Sequence, residues 1–210
     1  MRKSVLHKNT FTVFLLAAVA LVTFHKGNAS AAGMTAGADM EVLGPARAPM
    51  GYVGFCADHK ADCAAHDEPQ RVILTTDALN VLKQVNITVN TKIAPVTDKD
   101  LYHRAEFWTY PVDRGDCEDY VLLKRKLLIA QGWPVSALLI TVVRDTHGDG
   151  HAVLTVATDG GDLVLDNQRD DIRLWDDTGY SFVKRQSQAD PNAWVMVGPS
   201  DSSVGVASTR

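Results

Sequence analysis

The sequence predicts an α+β fold, with helices from its first half packed on an antiparallel sheet built by its second half. Three observations carry this. Apolar positions recur at helical spacing between Leu79 and Ile93. The run Asp116 to Gln131 places acids first and bases later, as a helix prefers. Apolar runs then follow one another, separated by the turn clusters Asp145 to Gly150 and Asp159 to Asp162. Short connections of this kind join antiparallel strands, and helices followed by such a run of strands are the α+β order.

The elements follow in chain order. Arg2, Lys3 and Lys8 precede a 14-residue apolar run, Phe11 to Phe24, and then the small residues Ala29-Ser30-Ala31. That is the layout of a cleaved signal peptide over residues 1–31, and it implies a periplasmic or secreted protein. The apolar run is short of the roughly 20 residues needed to span a bilayer, so the chain is not expected to span a membrane after cleavage. Residues 32–50, rich in Ala, Gly and Met, predict a flexible lead-in. The folded domain is expected over 51–198, and the Ser-rich stretch 199–210 as a disordered tail.

Leu79, Leu82, Asn86, Val89 and Ile93 mark one helix, started by Thr75 to Asp77 and ended by Pro95. Asn86-Ile87-Thr88 matches a glycosylation acceptor but falls in mid-helix, and reads as chance. A second, short helix is expected from Thr97-Asp98 over Asp100 to Phe107. The third covers Asp116 to Gln131 and stops at Gly132 and Pro134. Strands are expected over Val135 to Arg144, His151 to Thr158, Leu163 to Asn167, Tyr180 to Arg185 and Trp194 to Val197.

Composition narrows the function. The 210 residues are 46% hydrophobic and 22% charged, which excludes a disordered chain and a multi-span membrane protein. Net charge is −4, and without the first 31 residues 17 basic residues face 25 acidic ones, so nucleic acid is not an expected partner. Cys56 and Cys63, in FCADHKADC, suit a local disulfide in an exported protein. A metal pair with His59 or His66 is the alternative, and its spacing matches no zinc pattern. Cys117 is left over at the start of the third helix, where free N–H groups favour a thiolate. The other reading of Cys117 is a small core residue.

A thiolate needs a base, and the base needs an orienting carboxylate. His151 opens one strand and Asp166 ends the next, so a hairpin can set them side by side. A helix packed on that sheet can bring Cys117 to within about 3–4 Å of the other ring nitrogen. His147 falls in the turn and is expected in solvent. Asp145 to Gly150 resembles the start of an EF-hand loop, but His147 at its third position and Val156 at its twelfth argue for a plain hairpin turn. Trp108, Tyr110, Trp133 and Trp175 read as core or cleft-rim residues.

The stretch GDCEDYVLLKRKLLIAQGWP (Gly115 to Pro134), then GHAVL (Gly150 to Leu154) and LVLDNQ (Leu163 to Gln168), resembles the bacterial transglutaminase-like cysteine peptidases, over about Pro49 to Val197. The resemblance implies a papain-like, transglutaminase-like core. It makes Cys117 the nucleophile, His151 the general base and acid, and Asp166 its orienter, acting through an acyl-enzyme. One branch of that family consists of periplasmic, calcium-dependent proteases that clip large surface adhesins, with acids flanking the cysteine holding the ion. The corresponding residues here are Asp116 and Glu118, and the implied partners are a protein substrate and an inner-membrane regulatory receptor. The residues offer their own reason for a cation: Asp116, Glu118 and Asp119 surround Cys117 and oppose thiolate formation, a field that Ca²⁺ would cancel. The plainer reading is that acids simply favour a helix N-terminus. Two other functions fit the same residues. One is transamidase or amidase chemistry with the same triad, and the other a calcium-stabilised binding domain without turnover.

Overall fold

A computed structural model describes residues 37–65 and 68–198. In chain order the elements are β1 (Glu41–Ala46), α1 (Met50–Asp58), α2 (Thr76–Lys92), β2 (Ala94–Pro95), α3 (Asp98–Tyr102), β3 (Arg114–Gly115) and α4 (Cys117–Ala130). Then come β4 (Leu138–Arg144), β5 (Gly150–Thr158), β6 (Gly161–Leu165), β7 (Arg173–Leu174), β8 (Ser181–Gln186) and β9 (Trp194–Gly198). Seven strands form one antiparallel sheet in the order β1-β9-β8-β4-β5-β6-β7, while β2 and β3 pair separately and in parallel. The mixed α+β architecture expected from the sequence is what forms.

Local chemistry accounts for the main elements. Thr75 caps α2, its side chain accepting the Ala78 N–H at 3.1 Å, and Leu82, Val85 and Val89 form the buried stripe. Gly132 ends α4 with φ +85°, the left-handed geometry that glycine adopts without steric cost. In β4, β5 and β6 alternate residues serve opposite faces of the sheet. Ile140, Leu154, Leu163 and Leu165 pack with α2 and α4 residues, while Val143, Val153 and Val164 face a second cluster with Met40, Trp175 and Val197. With both faces covered, these central strands are buried almost throughout.

Three expectations require correction. The lead-in over 32–50 is not flexible where it is described. β1 pairs with β9, the Met40 N–H donates to Asp162 Oδ2 at 3.0 Å, and Trp175 Nε1 donates to the Ala38 carbonyl at 2.7 Å. The strand caps the edge of the sheet, so the folded unit already includes Gly37 to Met50. The short helix stops at Tyr102 rather than Phe107, because His103 turns left-handed at φ +58°. Val135 to Ala137 form a 3₁₀ turn, and β4 begins only at Leu138. Cys56 and Cys63 are joined in a disulfide. The expected signal peptide, residues 1–31, and tail, 199–210, lie outside the described residues. Among the described residues no helix is long and apolar enough to cross a membrane.

Candidate active site

Cys117 is the first residue of α4, delivered by the short parallel pairing of β3 with β2. A side chain at Gly115 would bring its Cβ to 2.8 Å from the Cβ of Asp119, so the turn into α4 closes only with glycine there. Asp116 occupies the N-cap position but does not cap the helix with its side chain. Its Oδ2 instead accepts the Asp98 N–H at 3.2 Å. The Cys117 thiol donates to Glu118 Oε2 at 3.1 Å. The thiol's hydrogen bond therefore goes to its neighbouring carboxylate rather than to an imidazole. Burial pushes the Cys117 thiol well up, and the Glu118 charge adds to the shift.

His151 is the second residue of β5, opposite Val143 of β4. Its Nε2 meets Asp166 Oδ1 at 2.8 Å, with both side chains 3% exposed. The expected pairing of this histidine with this aspartate is present, and Nδ1 is the ring nitrogen left over. Asp166 follows the last residue of β6. Its Oδ1 also accepts the Gln168 N–H at 3.0 Å, and its Oδ2 accepts the Tyr180 hydroxyl at 2.6 Å. Burial alone would raise the Asp166 carboxyl, but these bonds and the His151 charge outweigh it and hold the group below its ordinary range. Cys117 and His151 line one cavity of about 210 Å³, with Trp108, Glu118 and Lys184 also on its wall.

Behind the pair, α2 clamps the loop after β6. Asn90 Nδ2 donates to the carbonyls of Asp166 and Arg169, each at 3.0 Å, and Asn86 Nδ2 donates to Arg169 at 2.8 Å. Lys124 of α4 is fully buried beneath this region, and its Nζ has no hydrogen-bond partner. Burial pushes its amine down to about 7, against the pull of Asp166 and Asp170.

Beside the cysteine, carboxylate oxygens of Asp98, Asp116 and Glu118 lie within 4.8 Å of one another. Asp98 Oδ2 accepts the Phe107 N–H, and Asp119 Oδ1 accepts the Thr109 N–H at 2.9 Å. The opposite oxygens, Asp98 Oδ1, Asp116 Oδ1 and Asp119 Oδ2, are buried without partners. Burial and mutual repulsion push Glu118 up to about 9 and Asp119 up to about 7. Three clustered carboxylates, two of them with an orphaned buried oxygen, offer the hard oxygen donors that Ca²⁺ takes, and the ion would offset such a field. The sequence singled out Asp116 and Glu118; it missed Asp98, whose visible signal was only that of an acid opening a short helix. His147 stands in the turn, its side chain 80% exposed and away from the site. Of the four aromatic residues noted in the sequence, Trp108 lines the cavity, while Tyr110, Trp133 and Trp175 pack with the hydrophobic clusters.

No curated protein sequence matches the chain significantly. Solved structures similar to it include calcium-bound Legionella pneumophila LapG, at 26% identity and a TM-score of 0.48, covering 61% of this chain and 79% of that one. A second LapG structure from the same organism has 26% identity and a TM-score of 0.48 over 57% of this chain and 72% of that one. An EGTA-treated LapG has 24% identity and a TM-score of 0.46 over 61% and 78%. The family of bacterial transglutaminase-like cysteine proteinases (BTLCP) matches residues 42–202. Most of the chain lies within that match, and the chain belongs to this family of cysteine proteinases.

Proposed function

We propose that the chain is an exported cysteine endopeptidase that cleaves a surface adhesin or another exported protein, with Cys117 as nucleophile, His151 as base and acid, and Asp166 as its orienter. The observation that supports this most is the buried His151–Asp166 pair at 2.8 Å, whose histidine lines the same cavity as Cys117. In the proposed cycle the thiol proton passes to the free ring nitrogen of His151 as sulfur attacks the scissile carbonyl. The tetrahedral adduct collapses to a thioester, and the departing amine takes the proton from the imidazolium. Water then gives a proton to His151 and attacks the thioester, releasing the acid and restoring the thiol. Asp166 stays ionised throughout and stabilises the imidazolium. Asp98, Asp116 and Glu118 are the residues that would hold Ca²⁺, and the ion when bound supplies positive charge that offsets the carboxylates around the thiol. The export route, through a signal peptide over residues 1–31 followed by a domain ending near residue 198, belongs to the same proposal, as does an inner-membrane receptor as regulator.

The test replaces the sulfur. Cys117→Ala should lower cleavage of an exported protein substrate by at least about 10³-fold and leave the thermal unfolding curve close to that of the parent. Retained cleavage would overturn the assignment. Adding a labelled primary amine separates the outcomes of the acyl-enzyme: stable incorporation into protein would identify a transamidase instead of a peptidase.

A further inference from the structure

We infer that Tyr180 is a positioning residue for the His151–Asp166 pair, holding both the carboxylate and the imidazole in their working orientation. The inference rests on the proposed triad and adds a fourth group to it. Tyr180 touches both members of the pair. Its hydroxyl donates to Asp166 Oδ2 at 2.6 Å, a length in the charge-assisted range. Its ring meets the His151 ring edge-on, with centroids 5.9 Å apart and planes at 84°.

The division of labour on the carboxylate is clear. Oδ1 serves His151 Nε2 and the Gln168 N–H, and Oδ2 serves the tyrosine. Without the hydroxyl, Oδ2 would be a buried anionic oxygen with no donor, and the carboxylate would be free to rotate about Cβ–Cγ and share its charge differently with the imidazole.

Tyr180 is itself anchored from outside the pair. It lies just ahead of β8 and follows Gly179, whose φ of +75° turns the chain sharply. Its N–H donates to Thr178 Oγ1 at 3.2 Å, and that hydroxyl donates to the Trp175 carbonyl at 2.8 Å. The turn places the phenol where it reaches back across the sheet to the end of β6. Other charged groups face the pair: Glu106, Glu118 and Lys184 share the cavity wall with His151. Lys124 acts on Asp166 from α4, Asp170 sits in the clamped loop, and the Arg169 guanidinium lies 5.7 Å from the Tyr180 ring centroid. Asp145, in the turn before β5, connects more distantly through Gln168 Nε2 at 3.5 Å.

Tyr180 also packs against the second hydrophobic cluster, so a purely structural role must be separable from a positioning one. Tyr180→Phe keeps the ring and removes only the hydroxyl. The readout is the ring-nitrogen NMR signals of His151 in the full chain labelled with ¹⁵N-histidine, recorded at one fixed pH with calcium in fixed excess. In the parent the neutral ring should carry its proton on Nε2, against Asp166 Oδ1. In Tyr180→Phe the two ring-nitrogen signals should move towards each other, because a carboxylate free to rotate no longer holds one tautomer. Asp166→Asn should alter the same signals further. Signals unchanged in Tyr180→Phe but altered in Asp166→Asn would overturn the role of Tyr180 alone. Signals unchanged in Asp166→Asn would overturn the His151–Asp166 pairing itself, and the positioning role with it.

Discussion

Lys124→Met should stabilise this protein, and more so at lower pH. The lysine is fully buried, its Nζ finds no hydrogen-bond partner, and the nearest aromatic face, Tyr120, is 5.8 Å away. Burial lowers its amine from the ordinary 10.5 to about 7, with Asp166 and Asp170 partly offsetting the shift. A group that binds its proton less tightly when folded works against the fold wherever the unfolded chain is protonated. Between about pH 7 and 10.5 the unfolded state therefore carries more protons than the native one, and stability rises with pH by up to about 1.4 kcal/mol per unit. The full cost, on the order of 4–5 kcal/mol, is present below pH 7 and disappears above pH 10.5. Methionine has a similar length and no charge. The gap between variant and parent should thus be widest near pH 6 and shrink by about 2–3 kcal/mol between pH 7 and 9. Urea denaturation of both proteins at pH 7, 8 and 9, with calcium held constant, measures it. Glu118 and Asp119 also titrate in that window, but they do so in both proteins and largely cancel in the difference. A gap that stays constant with pH would show that the amine is not charged at a cost in the folded protein, and would refute the reasoning.

Two further outcomes follow from the structure. Replacing Cys56 and Cys63 together with Ala removes a cross-link between residues seven apart, and should lower the unfolding free energy by about 2–3 kcal/mol, seen as a lower midpoint by calorimetry. An unchanged midpoint would mean that the cross-link adds nothing to stability. Under the proposed Ca²⁺ site, Asp98→Asn removes one carboxylate from the acid cluster and should weaken Ca²⁺ binding by at least about tenfold in isothermal titration, with a smaller thermal shift on adding the ion than in the parent. Equal affinity in the variant and the parent would remove Asp98 from the ligand set.

What the sequence shows of this fold is what short-range physics decides. Thr75 before an apolar stripe, Gly132 after one, and strands broken by glycine-rich turns were all readable, because caps, periodicity and turns are local. β1 was not, since Glu41 to Ala46 includes Gly44 and Pro45 and looks like a loop; it becomes a strand only because β9 offers it a partner. α1 was missed for a related reason. Its glycines, Gly51 and Gly54, argue against a helix, yet Gly51 lets the helix lie close against Trp108. The site divides the same way. Cys117, His151 and Asp166 stand at element ends that the pattern marks. Asp98 and Tyr180 owe their importance to contacts across 18 and 14 residues of sequence, with Asp116 and Asp166, which no periodicity encodes.

The three aspartates beside the cysteine do something besides gather charge. Asp116 grips the amide of Asp98, Asp98 grips that of Phe107, and Asp119 grips that of Thr109. These bonds stitch the stretch carrying Glu106 and Trp108 to the start of α4, like a seam along one lip of the cleft. None of the three aspartates lies on the lining of the cleft. The seating of that lip beside the sulfur is therefore held by carboxylates set back from the opening, not by any side chain on the cleft wall.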